Sequence, residues 1–569
     1  MKNVRRALSL SAGSIERINV RTGKVVMNIA LPVAIAAGLG LASFATPAAD
    51  LVEACGLLVE FELPAADIGL PTGGARVTDA VYVPADEPDN PDGAYCRIRG
   101  TIRPVTYSAP AIHFQVNLPT AWNGKTLQFG GSGLNGRLVT GLGHYRKQPE
   151  TEPTPLARGY VTYGSDSGHV GSSSFDGQFM LNDEALRNYG HEQIKKTADV
   201  ALRLTERYYG RRPDYRYFIG GSQGGHEAFD AVQRYPDDYD GIVAGYPAHN
   251  VVMLHLSANR YARALYANDG RSWISPDRVR AFAAHVYAVC DALDGADDGI
   301  IANVDACRQA TASFKLKTAA NPVRCKGGED RGDDCLSDAQ IDALNVMDEP
   351  FDLGFSVFAD DEGNSIFPKW TPFEGSTFFD GGYPNLGADG PDQALQRMPG
   401  EATPKYAIAR DLTLDAMRDF DPRRYAGRIA ELVEVMSANS TDLDRFRDRG
   451  GKLIFFHGTV DDYIPVYSSI EYFERLQRRY GDTALDRFVR FYTIPGMGHV
   501  TGPFNARVAM LDYLEAWVER REAPGELMAI DVNESTAGRT RPVCRYPPWP
   551  RYEDDGDIDH AASFVCVEP

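Results

Sequence analysis

Short apolar runs that end in glycine or histidine loops recur at both ends of this chain. Lys125–Phe129 leads into a glycine loop, and Arg216–Ile219 leads into Gly220-Gly221-Ser222-Gln223-Gly224. Gly241–Gly245 closes on a glycine, and Lys452–Phe456 runs into His457-Gly458. Shortness and flanking glycines favour strands over buried helix segments, which periodicity alone does not separate. Helical spacing lies between them, at Gln193–Tyr209 and Val508–Glu519. Strands alternating with helices predict an α/β fold built on a mostly parallel sheet. The middle, residues 251–449, mixes helical patterns with Gly/Asp/Pro-rich stretches such as Lys326–Asp334 and Asp380–Pro391. It lacks strand–glycine–helix units and reads as an inserted lid between residues 50–250 and 450–569 of one α/β domain.

The N-terminus follows another pattern. Met1–Lys24 is basic and polar, Val25–Phe44 is apolar, and small residues with A-x-A-like sites follow through Ala49. Residues 1–45 therefore read as a cleavable export signal, with the protein secreted or periplasmic and not stably inserted in a membrane. A retained anchor is the alternative, weakened by Pro32 and the small residues. The 569 residues carry 59 basic and 78 acidic side chains, a net charge of −19. The first 45 hold six basic and one acidic residue, so the remainder carries −24. Such a body repels phosphate backbones, which excludes nucleic acid as a partner. Nothing in the sequence speaks to oligomeric state.

Eight cysteines, Cys55, Cys96, Cys290, Cys307, Cys325, Cys335, Cys544 and Cys566, fall along the chain as four spaced pairs. An even set in an exported chain implies disulfides, with neighbour pairing one of 105 connectivities. No C-x-x-C occurs, so a zinc ribbon or thioredoxin site has no support.

Ser222 sits in a G-x-S-x-G between a strand and a helical stretch. A sharp strand-to-helix turn presents a serine at a helix N-terminus, where backbone N–H groups favour an oxyanion. A serine nucleophile needs a base, and the base needs an orienting carboxylate. Asp461 follows the Lys452 strand and His499 follows Val489–Thr493, each in a loop. The order Ser222…Asp461…His499 is that of α/β-hydrolases. Asp462 rivals Asp461, and His457 reads as structural. The loop Gly130-Gly131-Ser132-Gly133 supplies a second oxyanion donor, assigned to the Gly131 N–H beside that of Gln223. Finally, Asp291, Asp294, Asp297 and Asp298 place four carboxylates within eight residues, flanked by Cys290 and Cys307. Oxygen donors spaced around glycines suit a hard cation such as calcium, and a solvated acidic loop is the alternative.

Together these residues resemble the tannase/feruloyl esterase family, from about Cys55 to Cys566. The likeness extends to Leu118–Gly124, Ser165–His169, Gln233–Gly245, Lys326–Asp330 with Asp334-Cys335-Leu336, and the tail Arg541–Pro547 with Phe564–Cys566. The resemblance implies a catalytic triad of Ser222, Asp461 and His499, and a small aromatic ester substrate of feruloyl, galloyl or terephthalate-monoester type. It also implies structural Ca2+ in the lid, on Asp291, Asp294, the Ala296 carbonyl, Asp298 and the Ile300 carbonyl. One departure stands out. The family pattern joins a cysteine before the serine to one after the histidine, where this chain has Gly221 and Val500. An acidic substrate group would need a local cation, for which Arg410 is a candidate. A non-catalytic binding protein, and a secreted lipase or peptidase, are the rival readings.

Overall fold

Ten strands form the central sheet of the computed structural model, which describes residues 48–357, 365–377, 397–553 and 555–569. The expected export segment and the Asp380–Pro391 stretch lie outside the described residues. In chain order the strands are β1 (Glu62–Leu63), β2 (Ala75–Val83), β3 (Tyr95–Ile102), β4 (Ile112–Pro119), β5 (Lys125–Phe129) and β6 (Val161–Ser165), then β7 (Tyr215–Gly221) and β8 (Gly241–Gly245). A short hairpin, β9 (Phe351–Asp352) with β10 (Ile366–Phe367), stands apart from the sheet, which β11 (Lys452–Gly458) and β12 (Val489–Ile494) complete. Their spatial order is β1-β2-β3-β4-β6-β5-β7-β8-β11-β12.

The six strands from β6 to β12 run parallel, as the apolar runs predict. β8 is buried along its whole length, which explains why Gly-Ile-Val-Ala-Gly carries no polar alternation. The four N-terminal strands pair antiparallel, an extension the sequence reading did not single out. Adjacent strand residues face opposite layers. Phe455 packs with Phe229 and Tyr472 of the helices Gln223–Arg234 and Val466–Tyr480. Ile454 packs with Leu511, Leu514 and Trp517 of the helix Met510–Arg520. Helices on both faces of this sheet give the α/β fold.

The insert between β8 and β11 builds a third apolar core from the helices Val251–Leu265, Pro276–Cys290, Asp338–Asp348 and Ala426–Met436. Its helix starts are written locally. Ser275 caps the second through the Arg278 N–H with Pro276 in the first turn, and Ser337 with Gln340 makes a capping box on the third. Met180, Leu186 and Tyr189, which precede β7, join the same core and tie the insert to the edge of the sheet domain.

All eight cysteines are paired, each with its neighbour: Cys55–Cys96, Cys290–Cys307, Cys325–Cys335 and Cys544–Cys566. Cys290–Cys307 closes a 17-residue separation around the acidic loop. Among the described residues no helix is long and apolar enough to cross a membrane.

Candidate active site

Ser222 follows the last residue of β7 and precedes the helix Gln223–Arg234, with φ 63° and ψ −120°. That conformation is costly for a side-chain-bearing residue and persists only where its surroundings impose it. The constraint is a backbone-on-backbone approach. A Cβ at Gly220 would lie 2.4 Å from the Gly224 carbonyl oxygen, and one at Gly130 would lie 2.5 Å from the Gly224 Cα. The turn closes only because these positions carry no side chain.

His499 and Asp461 reach the same point from loops after β12 and β11. His499 Nε2 lies 3.0 Å from Ser222 Oγ, and Nδ1 lies 2.9 Å from Asp461 Oδ2. Asp461 is fully buried, and its Oδ1 accepts the N–H groups of Tyr463 and Ile464, both at 2.9 Å. Burial pushes its carboxyl up, but His499, His457 and these bonds outweigh burial and hold it well below the usual range. Asp461, not Asp462, meets the imidazole. His457 is buried with Nδ1 on Ser469 Oγ at 2.8 Å and Nε2 on the Ile464 carbonyl at 2.9 Å, 3.4 Å from Asp461 Oδ2. It braces the acid and does not touch the serine.

The chain matches the family model for tannase and feruloyl esterase over residues 96–567. The chain belongs to this family. It is 37% identical to an uncharacterized esterase of Agrobacterium fabrum, over 96% of this chain and 98% of that one. It is 31% identical to the mono(2-hydroxyethyl) terephthalate hydrolase of Piscinibacter sakaiensis, over 80% and 82%. The crystal structure of feruloyl esterase B from Aspergillus oryzae superposes with a TM-score of 0.70 at 25% identity, covering 91% of this chain and all of that one. A tannase and feruloyl esterase family member is a carboxylic ester hydrolase, and the elbow serine with its histidine and acid matches that chemistry.

The two N–H groups assigned to the oxyanion stand in different surroundings. Gln223 is the first residue of its helix, where a backbone N–H has no partner within the helix. The Gly131 N–H, however, donates to Glu227 Oε2 at 2.8 Å, and the Ser132 N–H donates to Asn135 Oδ1 at 2.9 Å. Gly131 is therefore already engaged in this arrangement. Glu227 is buried beneath the loop, and burial raises its carboxyl to about 7, against the Gly131 and Asn135 bonds. Arg410 also departs from expectation, since its guanidinium pairs with Asp183.

Gly221 and Val500, the departures from the family's cysteine pattern, have a structural explanation at one of the two positions. A Cβ on Gly221 would lie 2.7 Å from Tyr246 Cζ and Oη. Gly221 is thus not open to a side chain unless Tyr246 moves. Tyr246 fills that room and meets the His499 ring edge-on at 4.8 Å between centroids, while Tyr463 stacks on it at 4.5 Å. Sequence reasoning missed both tyrosines. Tyr463 was in view as a neighbour of Asp461; Tyr246 directly follows β8 and carried no signal.

In the acidic loop, Asp294 accepts the Ala302 N–H at 2.7 Å and the Ala296 N–H at 3.1 Å, and Asp291 accepts the Gly299 N–H at 3.0 Å. Burial raises the Asp294 carboxyl to about 7 and the Asp291 carboxyl to about 6, with Asp298 adding repulsion to each. Asp298 itself pairs with Arg541. Among the described residues no three acidic, histidine or cysteine side chains form a ready metal cage. Asp291 and Asp294, hard oxygen donors raised by burial, fit calcium, and the Asp298 carboxylate would share itself with Arg541.

Two outcomes follow from this geometry. Gly221→Ala should lower kcat at least tenfold by driving Cβ into Tyr246, and adding Tyr246→Gly should restore part of the loss. Strict additivity in that cycle would refute the contact. In the metal-free protein, the raised Asp291 and Asp294 hold protons that the unfolded chain has lost, so stability should fall as pH rises from about 4 to 7. Calcium should remove that fall. Equal pH dependence of Tm in chelator and in calcium would show that no ion binds the loop.

Proposed function

We propose that this chain is an exported serine esterase that hydrolyses aromatic acid esters through an acyl-enzyme on Ser222. The observation that carries this reading is the unbroken line from Asp461 through His499 to an elbow serine, with separations of 2.9 and 3.0 Å. His499 Nε2 takes the hydroxyl proton as Ser222 Oγ attacks the ester carbonyl. The Gln223 N–H, at a helix N-terminus facing the glycine loop, stabilises the oxyanion. The alcohol leaves with the proton from His499, and water then repeats the attack on the acyl-serine. Asp461 accepts a hydrogen bond from the Nδ1–H, fixes the tautomer and stabilises the imidazolium.

The aromatic preference draws on the relatives' names and on one feature of this chain. His169 and Phe179 stack at 3.7 Å, Tyr189 meets both edge-on, and the Tyr189 hydroxyl donates to Gln223 Oε1 at 3.1 Å. Phe179 remains half-buried, leaving an aromatic face beside the oxyanion residue. Four neighbour-paired disulfides with no free thiol, together with the basic–apolar–small N-terminus, support export. Calcium, held by Asp291, Asp294, Asp298 and the Ala296 and Ile300 carbonyls, would neutralise the acidic loop and act on stability alone.

Acid release from methyl ferulate, methyl gallate, chlorogenate and mono(2-hydroxyethyl) terephthalate tests the reading. The wild type should release acid from at least one, Ser222→Ala from none, and Asp461→Asn should lose about 10³–10⁴ in kcat. A folded, calcium-loaded protein inert towards this panel and towards p-nitrophenyl acetate would overturn it.

A further inference from the structure

A cleft of about 480 Å³ opens beside the site, and His499 forms part of its wall with Val500, Tyr246, Arg146, Lys147 and Arg507. Three cations in one cleft are unexpected in a chain of net charge −19. Their partners are more so. Lys147 Nζ donates to the Val500 carbonyl at 3.1 Å and Asn505 Oδ1 at 3.3 Å. Arg507 donates to Asn505 Oδ1 at 2.9 Å, and Arg146 donates to Ser132 Oγ at 2.7 Å. Every one of these acceptors is neutral, and none of the three cations pairs with a carboxylate among the described residues. Glu150, which is exposed, is the one acid lining the cleft, and His144 lines it as well.

Lys147 is only 8% exposed and holds φ 66°, a conformation that its surroundings must impose. Burial, Arg507 and Arg146 draw its ammonium down to about 7, and Asp461 offsets them only in part. A cluster of like charges without a counter-ion is unfavourable when empty and favourable once an anion enters. The position of the cleft decides which half of an ester that anion belongs to. His499 hands its proton to the leaving oxygen, so the alcohol half lies on the side that His499 walls.

We propose that the Arg146–Lys147–Arg507 cleft binds a carboxylate carried on the alcohol half of the ester, making hydroxy-acid esters of aromatic acids the preferred substrates. This deepens the esterase reading and rests on it for the reaction, while the anion site itself does not. A planar guanidinium matches a carboxylate, and Arg146 and Arg507 supply two at the cleft, with Lys147 beneath. A carboxylate on the acyl half, as in mono(2-hydroxyethyl) terephthalate, is not the group that this subsite would select.

Chlorogenate and its methyl ester share acyl group and ring and differ in the charge of the quinate carboxyl. The wild type should favour chlorogenate in kcat/KM by at least tenfold, through KM, and the preference should shrink at high salt. Arg507→Gln and Arg146→Gln should each reduce that ratio severalfold. Quinate should also bind the Ser222→Ala protein by calorimetry and lose that binding with Arg507→Gln. Equal cleavage of both esters and no quinate binding would overturn the subsite and leave the esterase standing. Quinate binding that depends on Arg507, without cleavage of any ester, would keep the subsite and overturn the esterase.

Discussion

The site depends on one close approach, three glycine backbones packed against each other with no side chain between them. Gly220 at the end of β7 and Gly130 after β5 both meet Gly224 in the first turn of the following helix. This contact forces Ser222 to φ 63° and brings the glycine loop against the helix N-terminus. The strain stored at such a residue is roughly 1–3 kcal/mol, and the parallel pairing of β5 with β7 and of β7 with β8 sustains it. Serine, helix dipole and loop are therefore placed by one sheet register, not by three separate loops.

Buried charge supplies the second layer of order. Asp461 stays ionised because two histidines and two backbone N–H groups surround it. Glu227, as deeply buried, has only N–H donors and a neighbouring His226, and it rises towards neutrality. Two carboxyl groups in one site thus differ in state through their neighbours alone. Glu227 then has a positioning role: it holds the Gly131 N–H and the Asn135 amide, and so fixes the loop that faces Ser222.

Much of this was legible in the chain. β5 and β8 match their apolar runs residue for residue, and the helix Gln193–Tyr209 is the one that its spacing predicts. The order of serine, acid and histidine was readable because each follows a strand, and strand ends converge on one edge of a parallel sheet. The antiparallel strands β2 to β4 went unread although Ala75–Val77 and Ile112–Phe114 alternate in exposure, because no glycine loop of catalytic type marks them. The engagement of Gly131 was hidden for a different reason. Its partner, Glu227, lies 96 residues away, and no local pattern reports a hydrogen bond across that separation.

Tyr246 shows how such a long-range partner changes the meaning of a sequence difference. Read alone, glycine before the serine and valine after the histidine describe a lost covalent link. In three dimensions the space beside Gly221 is occupied by a phenol ring that also touches His499 edge-on. The imidazole is then held between Tyr246 at its edge and Tyr463 on its face, by contacts worth about 0.5–1.5 kcal/mol each beyond burial. Aromatic packing of this kind positions the ring while leaving Val500 exposed at the mouth of the cationic cleft. A position that would otherwise anchor the histidine loop is thereby open to solvent.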